Sequence, residues 1–238
     1  LNLIRQLIHK PNGVVVCTGP TGSGKTTTLY AALRELNDIS SKLITAEDPV
    51  EYDIDGIIQC QIKAEIEMTF ARILRSMLRQ DPDIVLVGEI RDQETARIAM
   101  QAAQTGHLVL STLHTDDAPS AVTRLTDIGV EPFVIASATL GVVAQRLVRR
   151  LCGNCRRQYT PTSETLRALN ITEGDAANIS FYRPVGCESC HHTGYKGRIG
   201  IYEVMRISDK LRRMIAQRAS EDAIREAAMA TGMLTLGD

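Results

Sequence analysis

Aromatic residues are scarce in this 238-residue chain, which contains no tryptophan, three phenylalanines and six tyrosines. Proteins that bind single-stranded nucleic acid stack bases on aromatic side chains, so this scarcity argues against a nucleic-acid translocase. An excess of charge is also missing, because 27 lysines and arginines face 28 acids and leave a net charge of -1. This balance gives no general attraction to nucleic acid or anionic lipid, and we expect no nucleic-acid partner.

Long apolar runs are absent as well. No stretch approaches the ~18 uninterrupted apolar residues of a membrane span, and the first residues lack the apolar segment of a signal peptide. The six cysteines do not form the framework of a secreted protein, since four of them lie in two CxxC pairs. We therefore expect a cytoplasmic protein with no membrane span. The chain starts without methionine and stops at Leu236-Gly237-Asp238 without a helix-ending signal, so we expect a piece of a longer protein.

Short apolar runs alternate with helical patterns through the first half of the chain, and this alternation predicts a parallel α/β sheet. A short edge hairpin is predicted at 56–62, and two further helices are predicted between Pro119 and Ala144. The main strands are predicted at 14–17, 43–46, 84–87 and 107–112. Helices are predicted at 70–78 and from Asp92 onward.

The composition changes after Leu151, where two CxxC pairs enclose a polar segment. A strand at 198–207 and two helices capped by Ser208 and Ser220 follow. The sequence thus predicts three domains: an α/β core at 1–150, a tetracysteine metal-binding module at 151–195, and a C-terminal strand and helical subdomain at 196–238.

A phosphate-binding pattern, GxxxxGK[ST], lies between the first predicted strand and the next helix. Its glycines let backbone N–H groups converge on phosphates, and the helix N-terminus adds positive potential. We expect Lys25 to contact the β- and γ-phosphates of ATP and Thr26 to bind Mg²⁺. A Gly-rich turn with a chance lysine is the alternative, which the order of strand, motif and helix disfavours. The predicted nucleotide-binding residues are Gly19, Pro20, Thr21, Gly22, Ser23, Gly24, Lys25, Thr26 and Thr27.

Two acidic segments follow predicted strands that should end at the same sheet edge. Gly88-Glu89 stands where a general nucleotide-binding motif has Asp-Glu, so we expect Glu89 to hold Mg²⁺ through water or to orient the attacking water. Glu47, Asp48 and Glu51 follow another strand and suit Mg²⁺-bound water or a general base. Solvated acids are the alternative in both places.

Two histidines flank the fourth predicted strand. His114 follows its carboxyl end and is placed to sense a γ-phosphate, whereas His107 opens the strand and suits a structural role. For either histidine, a place in the core or on the surface without function is the alternative.

Several arginines leave two interpretations open. Arg72, Arg75 and Arg79 share one side of a predicted helix, where a salt-bridged surface is favoured over contact with a neighbouring subunit's nucleotide. Arg91, two residues after Glu89, has the same two alternatives.

Four cysteines form the pattern CxxC, a long spacer at 156–186, and CxxC. Four thiolates in two such pairs can close a tetrahedral Zn²⁺ site, and redox pairs or free thiols are the alternatives. His191 and His192 are available as substitute ligands. The predicted zinc ligands are Cys152, Cys155, Cys187 and Cys190.

Together these motifs resemble the secretion ATPase superfamily that powers type II secretion and type IV pilus systems, most closely its GspE/PilB assembly branch. The phosphate loop GPTGSGKTTTLY, the aspartate box ITAEDPVEY, the second nucleotide motif LVGEIRDQETA and the histidine box TGHLVLSTLHT carry the resemblance, which spans the whole chain. It implies a RecA-like P-loop ATPase fold. The predicted catalytic residues are Lys25, Glu51, Glu89 and His114, and the nucleotide site is expected to include Glu47, Asp48, Arg91 and His107.

The tetracysteine module is similar to that of the secretion and pilus-assembly members, as is GYKGRIGIYE after Cys190, so the resemblance disfavours pilus retraction. It implies ATP, Mg²⁺ and Zn²⁺ as cofactors, a homo-hexamer, and partners in the inner-membrane platform and the cytoplasm-facing parts of a secretion or pilus machine. Peripheral association with the inner membrane through those partners is expected. A nucleic-acid-dependent RecA-like motor and a non-catalytic nucleotide-binding scaffold are the competing interpretations.

Overall fold

The computed structural model describes residues 1–169 and 171–237. Contacts divide the chain into two compact units, of which the first comprises Leu1–Arg146 and Ile201–Asp238 and the second Leu147–Gly200. The chain leaves the first unit and returns to it within long strands. The predicted division into three domains at 150 and 195 stays a prediction, although residues from Ile201 onward belong by their contacts to the first unit.

The strands, in chain order, are β1 (Gly13–Thr18), β2 (Leu43–Glu47), β3 (Ile58–Gln61), β4 (Ile84–Val87), β5 (Leu108–Leu113), β6 (Thr139–Leu151), β7 (Arg157–Gln158), β8 (Tyr182–Arg183) and β9 (Tyr195–Arg206). A seven-stranded sheet has the order β3-β2-β4-β5-β1-β6-β9. Strands β1 to β6 run parallel to one another. Their carboxyl ends therefore lie at one edge of the sheet.

The helices, in chain order, are α1 (Asn2–Ile8), α2 (Lys25–Leu36), α3 (Phe70–Met77), α4 (Gln93–Gln104), α5 (Ala118–Asp127), α6 (Pro132–Ala138), α7 (Ser163–Ala168), α8 (Glu173–Ala176), α9 (Asp209–Ala216) and α10 (Glu221–Met229). Side-chain caps start several of them: the carboxylate of Asp92 and the hydroxyls of Ser208 and Ser220 each accept a backbone N–H of the first turn. None of the helices in 1–169 and 171–237 is long and apolar enough to cross a membrane.

Helices cover both faces of the sheet in the first unit. Val14 and Val16 of β1 belong to the apolar cluster that includes α3–α6, α9 and α10, whereas Val15 and Cys17 face the cluster with α1 and α2. All six residues of β1 are buried, as expected for a central strand of a parallel sheet. The phosphate loop thus leaves from the most buried part of the fold.

The second unit contains the β7–β8 ribbon, α7, α8 and a short 3₁₀ helix at Glu188–Cys190. Tyr159 and Phe181 beside the ribbon contact each other edge to face, with ring centroids 6.4 Å apart. The Arg156 guanidinium lies 4.5 Å from the centre of the Tyr182 ring. These surface contacts stabilise the second unit, which has few buried side chains.

One local prediction is wrong. The hairpin predicted at 56–62 is instead the single strand β3, which pairs in parallel with β2 from Ile44↔Ile58 to Glu47↔Gln61. Alternation of apolar residues indicated a strand, but the strand's partner and direction depend on the crossover before it. The two helices predicted between Pro119 and Ala144 are confirmed as α5 and α6, and Thr139 then begins β6, a strand between β1 and β9 that the sequence did not predict. The α/β parallel sheet itself is confirmed.

Candidate nucleotide site and tetracysteine centre

The predicted site residues follow four parallel strands whose ends are aligned. Thr18 at the end of β1 is in register with Leu113 at the end of β5, and Ala46 of β2 is in register with Val87 of β4. The residues that continue these strands are the phosphate loop, His114, Glu47 and Gly88-Glu89. Ligands bind at the carboxyl edge of open parallel sheets, so this edge is the candidate site.

The phosphate loop, residues 19–24, is closed by hydrogen bonds within itself. Ser23 N–H donates to the Pro20 carbonyl at 3.2 Å, and the Lys25 ammonium donates to the carbonyls of Gly19 at 2.7 Å and Pro20 at 3.1 Å. Gly24, with φ 87°, supplies the left-handed turn into α2. The loop and its lysine therefore form one folded unit at a helix N-terminus.

Two features of this loop fit a bound phosphate. The Ser23 hydroxyl is buried and has no hydrogen-bond partner among the described residues, although buried hydroxyls are normally paired. A β-carbon at Gly19 would lie 2.4 Å from the Gln145 carbonyl oxygen, so the backbone there is packed too closely for any side chain. The loop thus has an exposed backbone surface at Gly22 and an unused buried donor, as an anion cradle requires.

Lys25 is only 9% exposed. Burial lowers the pKa of its ammonium group, and the negative charge of Glu89 opposes that shift. The lysine and Glu89 therefore influence each other across the site. Thr26 and Thr27, in the first turn of α2, are exposed at the same helix terminus.

Glu89 is the centre of a second group of site residues. Its side chain is 15% exposed, and its carboxylate accepts a hydrogen bond from Arg91 Nε at 2.6 Å. His114 Nε2 lies 3.1 Å from the other carboxylate oxygen of Glu89. The structure thus brings together Lys25, Glu89, Arg91 and His114, which the sequence places up to 89 positions apart.

Gly88 explains why this motif has Gly-Glu in place of Asp-Glu. Its N–H donates to the Ala46 carbonyl at 2.8 Å, and a β-carbon at Gly88 would lie 3.1 Å from that oxygen. An aspartate side chain would require the backbone at Ala46 to shift by a few tenths of an ångström. Glu89 is accordingly the acid that this strand delivers to the site.

The three acids after β2 have different surroundings. Glu47 is buried; its carboxylate accepts hydrogen bonds from Tyr30, from Thr45 at 2.5 Å and from Gln59 at 3.1 Å. The side chains of Asp48 and Glu51 are exposed. Their roles at the nucleotide stay predictions.

Some predicted residues lie elsewhere. His107 precedes β5, at the opposite edge of the sheet, where its ring bonds to the Ala102 carbonyl at 2.9 Å, so this chain does not bring it to the phosphate loop. Arg75 pairs with Glu94 at 2.5 Å and Arg72 with Glu67 at 3.6 Å, both on the exposed surface. These two pairs match the salt-bridged alternative.

Sequence reasoning missed three residues of the site. Tyr30 bonds to Glu47, Gln145 bonds to the phosphate loop, and Arg146 donates to the Asp116 carbonyl at 2.7 Å beside Gly19. Tyr30 lies three positions before Leu33 on the buried face of α2, a spacing that marks it as inward-facing. Gln145 and Arg146 gave no such signal, because their segment lies beyond the helices and strands that the pattern of apolar residues identified.

The second unit brings the four predicted cysteines together. Their sulfurs all lie within 4.8 Å of one another, and the separations Cys187–Cys190, Cys155–Cys190 and Cys152–Cys187 are 3.7, 3.8 and 4.0 Å. A tetrahedral Zn²⁺ with Zn–S bonds of ~2.3 Å requires S–S separations of about 3.8 Å. The donor set therefore fits zinc in both chemistry and size, whereas His191 and His192 are exposed and outside the group.

Backbone donors surround these sulfurs. Burial raises the pKa of the Cys190 thiol, but N–H groups of Cys187 and Gly194, both 3.2 Å from its sulfur, outweigh burial and lower the pKa to about 6. Gly186 N–H donates to the Cys155 sulfur at 3.3 Å. N–H donors to sulfur stabilise thiolates, the form that binds metal.

Comparison with known proteins identifies the family to which this chain is similar. The family described as "Type II/IV secretion system protein" matches residues 1–236. The type II secretion system protein HxcR of Pseudomonas aeruginosa is 57% identical over 230 residues, covering 97% of this chain and 45% of the relative. The type IV pilus assembly ATPase PilB of Thermus thermophilus is 50% identical over 232 residues, covering 98% of this chain and 26% of the relative. The chain thus spans less than half the length of these relatives.

Solved structures agree on the fold. The pilus retraction motor PilT, solved with bound ADP, is 28% identical with a TM-score of 0.67, over 99% of this chain and 62% of PilT. The Legionella pneumophila ATPase DotB, 24% identical with a TM-score of 0.66 over 97% of this chain and 55% of DotB, shows the likeness of fold alone. The predicted fold class, a RecA-like P-loop core with a tetracysteine module and C-terminal helices, is confirmed. With a family match from residue 1 to 236 and relatives at least half identical over nearly its full length, the chain belongs to the type II/IV secretion system protein family.

Proposed function

We propose that this chain is the ATP-hydrolysing segment of a motor that powers type II secretion or type IV pilus assembly. The observation that carries the proposal is the placement of Lys25, within the phosphate loop, beside the Glu89 carboxylate at one sheet edge. Relatives named as a type II secretion system ATPase, 52% identical, and as a pilus assembly ATPase, 50% identical, support it.

In this proposal, the backbone N–H groups of residues 19–24 and the Lys25 ammonium bind the phosphates. Lys25 exchanges its bonds to the Gly19 and Pro20 carbonyls for phosphate oxygens, a stronger, charge-assisted contact. The Glu89 carboxylate accepts a proton from the attacking water, and Glu51 is the alternative proton acceptor for that step. His114, whose Nε2 lies 3.1 Å from the Glu89 carboxylate, links loss of the γ-phosphate to the loop after β5.

Two metals belong to the proposal. Thr26 and the acids at this edge, Asp48 and Glu89 among them, would hold Mg²⁺, which neutralises charge on the phosphates when bound. The four cysteines would hold a structural Zn²⁺ that folds the second unit. Glu47 contributes less to the magnesium site than the sequence suggested, because Tyr30, Thr45 and Gln59 already occupy its oxygens.

We further propose a homo-hexameric ring in the cytoplasm, held at the inner membrane by the platform and the cytoplasm-facing components of the machine. The names of the relatives support a place in a secretion or pilus-assembly machine, and the described residues of one chain supply no arginine that bonds into the phosphate loop from α3. Arginines from another subunit or domain are the expected complement.

The substitution Lys25→Ala tests the proposal in the protein at its native length. It should abolish steady-state ATP hydrolysis and leave the thermal midpoint nearly unchanged. Lys10→Ala is the matched control, because Lys10 is an exposed lysine before β1, at the opposite sheet edge. A folded Lys25→Ala protein that hydrolyses ATP at the wild-type rate would refute the proposal.

Secretion or piliation in cells then tests the motor role. A strain whose only copy carries Lys25→Ala should neither secrete nor assemble pili, whereas the Lys10→Ala strain should do so normally. Strong stimulation of hydrolysis by nucleic acid, together with intact secretion and piliation in the Lys25→Ala strain, would indicate a nucleic-acid motor instead.

A further inference from the structure

Gln145, in β6, bonds to the phosphate loop from outside it. Its side-chain amide donates through Nε2 to the Ser23 carbonyl at 2.8 Å and accepts through Oε1 from the Thr28 hydroxyl of α2 at 2.7 Å. The residue is 2% exposed. Because a carbonyl can only accept, the bond to Ser23 fixes which end of the amide faces the loop.

The backbone of Gln145 contacts the other end of the same loop. Ala144 is in register with Thr18, so Gln145 lies beside Gly19. Its carbonyl oxygen lies 2.4 Å from the position that a β-carbon on Gly19 would occupy. Gln145 thus holds the first residue of the loop by close packing and the fifth by a hydrogen bond.

The remaining hydrogen bonds of the loop in the described part of the chain come from its own segment. Lys25 supplies two, Ser23 N–H one, and Thr28 N–H one to the Gly24 carbonyl at 3.1 Å. In the proposed function Lys25 turns to the phosphates and gives its two bonds up. Gln145 makes no contact that the nucleotide needs, so its support persists when ATP binds.

We propose that Gln145 is a positioning residue for ATP binding, which keeps the N–H groups of the phosphate loop convergent while Lys25 moves to the nucleotide. The inference rests on the proposed function, since it concerns the same site. Its physical basis is preorganisation: a loop already held in its binding shape loses less conformational freedom when the ligand arrives. Loss of the amide should therefore weaken nucleotide binding more than it slows the chemical step.

Gln145→Leu keeps the side chain's approximate size and removes both bonds. We expect the dissociation constant for a fluorescent ATP analogue with Mg²⁺ to rise about tenfold, as two neutral hydrogen bonds warrant. KM for ATP should rise by a similar factor, while kcat changes less than about threefold. Gln104→Leu is the matched control, because Gln104 donates to the Ser137 hydroxyl at 2.8 Å at the exposed end of α4.

Thr28→Val provides a milder variant in case Gln145→Leu does not fold. It removes only the hydroxyl that holds the amide, so the dissociation constant should rise about threefold. In the double variant the Thr28 substitution should add little, because both changes disable the same amide. Gln145→Glu keeps the acceptor for Thr28 but loses the donor to Ser23, and it should bind as weakly as Gln145→Leu.

The outcomes separate the two proposals. If the wild-type protein itself does not bind ATP, the proposed function fails. If the wild type binds and both Gln145→Leu and Thr28→Val bind within twofold of it, at a temperature where circular dichroism shows them folded, Gln145 has no positioning role. A lower thermal midpoint with unchanged affinity and KM would likewise assign Gln145 to stability alone.

Discussion

Removal of one hydroxyl, by Tyr30→Phe, tests how the helix after the phosphate loop is joined to the acidic segment after β2. The Tyr30 hydroxyl donates to Glu47 and accepts the backbone N–H of Glu51 at 3.2 Å. Its ring is 1% exposed and contacts Tyr52 edge to face, with centroids 4.7 Å apart. Phenylalanine keeps the ring and its packing, so the substitution isolates the hydroxyl.

The expected loss of unfolding free energy depends on Glu47, the group that accepts the hydrogen bond from Tyr30. A hydrogen bond to a charged group contributes ~1.5–3 kcal/mol, and Glu47 retains two other donors, so the loss should lie near the middle, about 2 kcal/mol at pH 7. In a chain of this size that corresponds to a thermal midpoint lower by roughly 4–8 °C. Because Glu51 loses its backbone anchor as well, we also expect lower ATP hydrolysis.

The pH dependence gives a sharper test. Burial, and then the hydrogen bond to Glu47, raise the pKa of Tyr30 from its ordinary value of 10.0 to about 12. The folded state thus holds the proton more tightly than the unfolded state. The stabilisation from the protonated hydroxyl is fully present below pH 10 and is lost as pH rises through 12, by a few kcal/mol at most.

Urea unfolding of wild type and Tyr30→Phe at pH 8, 9.5 and 11 measures this effect. The wild-type advantage in unfolding free energy should be about 2 kcal/mol at pH 8 and shrink by about 1 kcal/mol at pH 11. Tyr159→Phe is the control, because the Tyr159 ring contacts Phe181 edge to face in the second unit. A Tyr30→Phe protein as stable as wild type, or an advantage that stays constant from pH 8 to 11, would refute the reasoning.

Three further outcomes are expected. Glu89→Gln should bind ATP normally yet hydrolyse it at least ~100-fold more slowly. The control Glu94→Gln, which changes the partner of Arg75 in a surface ion pair, should hydrolyse ATP normally. Equal rates for the two variants would show that Glu89 is not the proton acceptor. Gly19→Ala should lose nucleotide binding, because its β-carbon would clash with a backbone oxygen; affinity like the wild type's would show that the loop adapts. Metal analysis should give one zinc per chain, reduced by Cys155→Ser but not by Cys60→Ser; zinc-free wild type with freely titrated thiols would contradict the site.

Prediction from sequence worked best where the physical cause is local. The phosphate loop, the start of α4 at Asp92 and the caps at Ser208 and Ser220 depend on a few neighbouring residues, and α4, α9 and α10 begin where the sequence predicted. The two CxxC pairs are distant from each other in sequence, but each forms its own turn. Because four thiolates can bind one metal ion, the grouping of the four sulfurs was predictable.

Elsewhere the outcome depended on partners that no local pattern reveals. Apolar alternation indicated β3 but not that it would pair in parallel with β2. Gln145 lies in no recognisable motif, because the group to which it donates, the Ser23 carbonyl, is more than a hundred positions earlier. His107 was assigned to the nucleotide site by the resemblance of TGHLVLSTLHT to the family's histidine box, yet the length of β5 separates the two histidines across the sheet.

The strand order also bears on how the protein is made. β1 is synthesised before its sheet partners β5 and β6, so Gly13 can pair only after Leu108 has been made, and Thr18 can pair with Ala144 only after β6 has been made. Such distant pairings form slowly. A growing chain that ends at β5 already carries the phosphate loop and its acids, but not the strand that holds the loop in place. We therefore expect ATP to favour completed molecules over partly folded ones, and to stabilise them by binding.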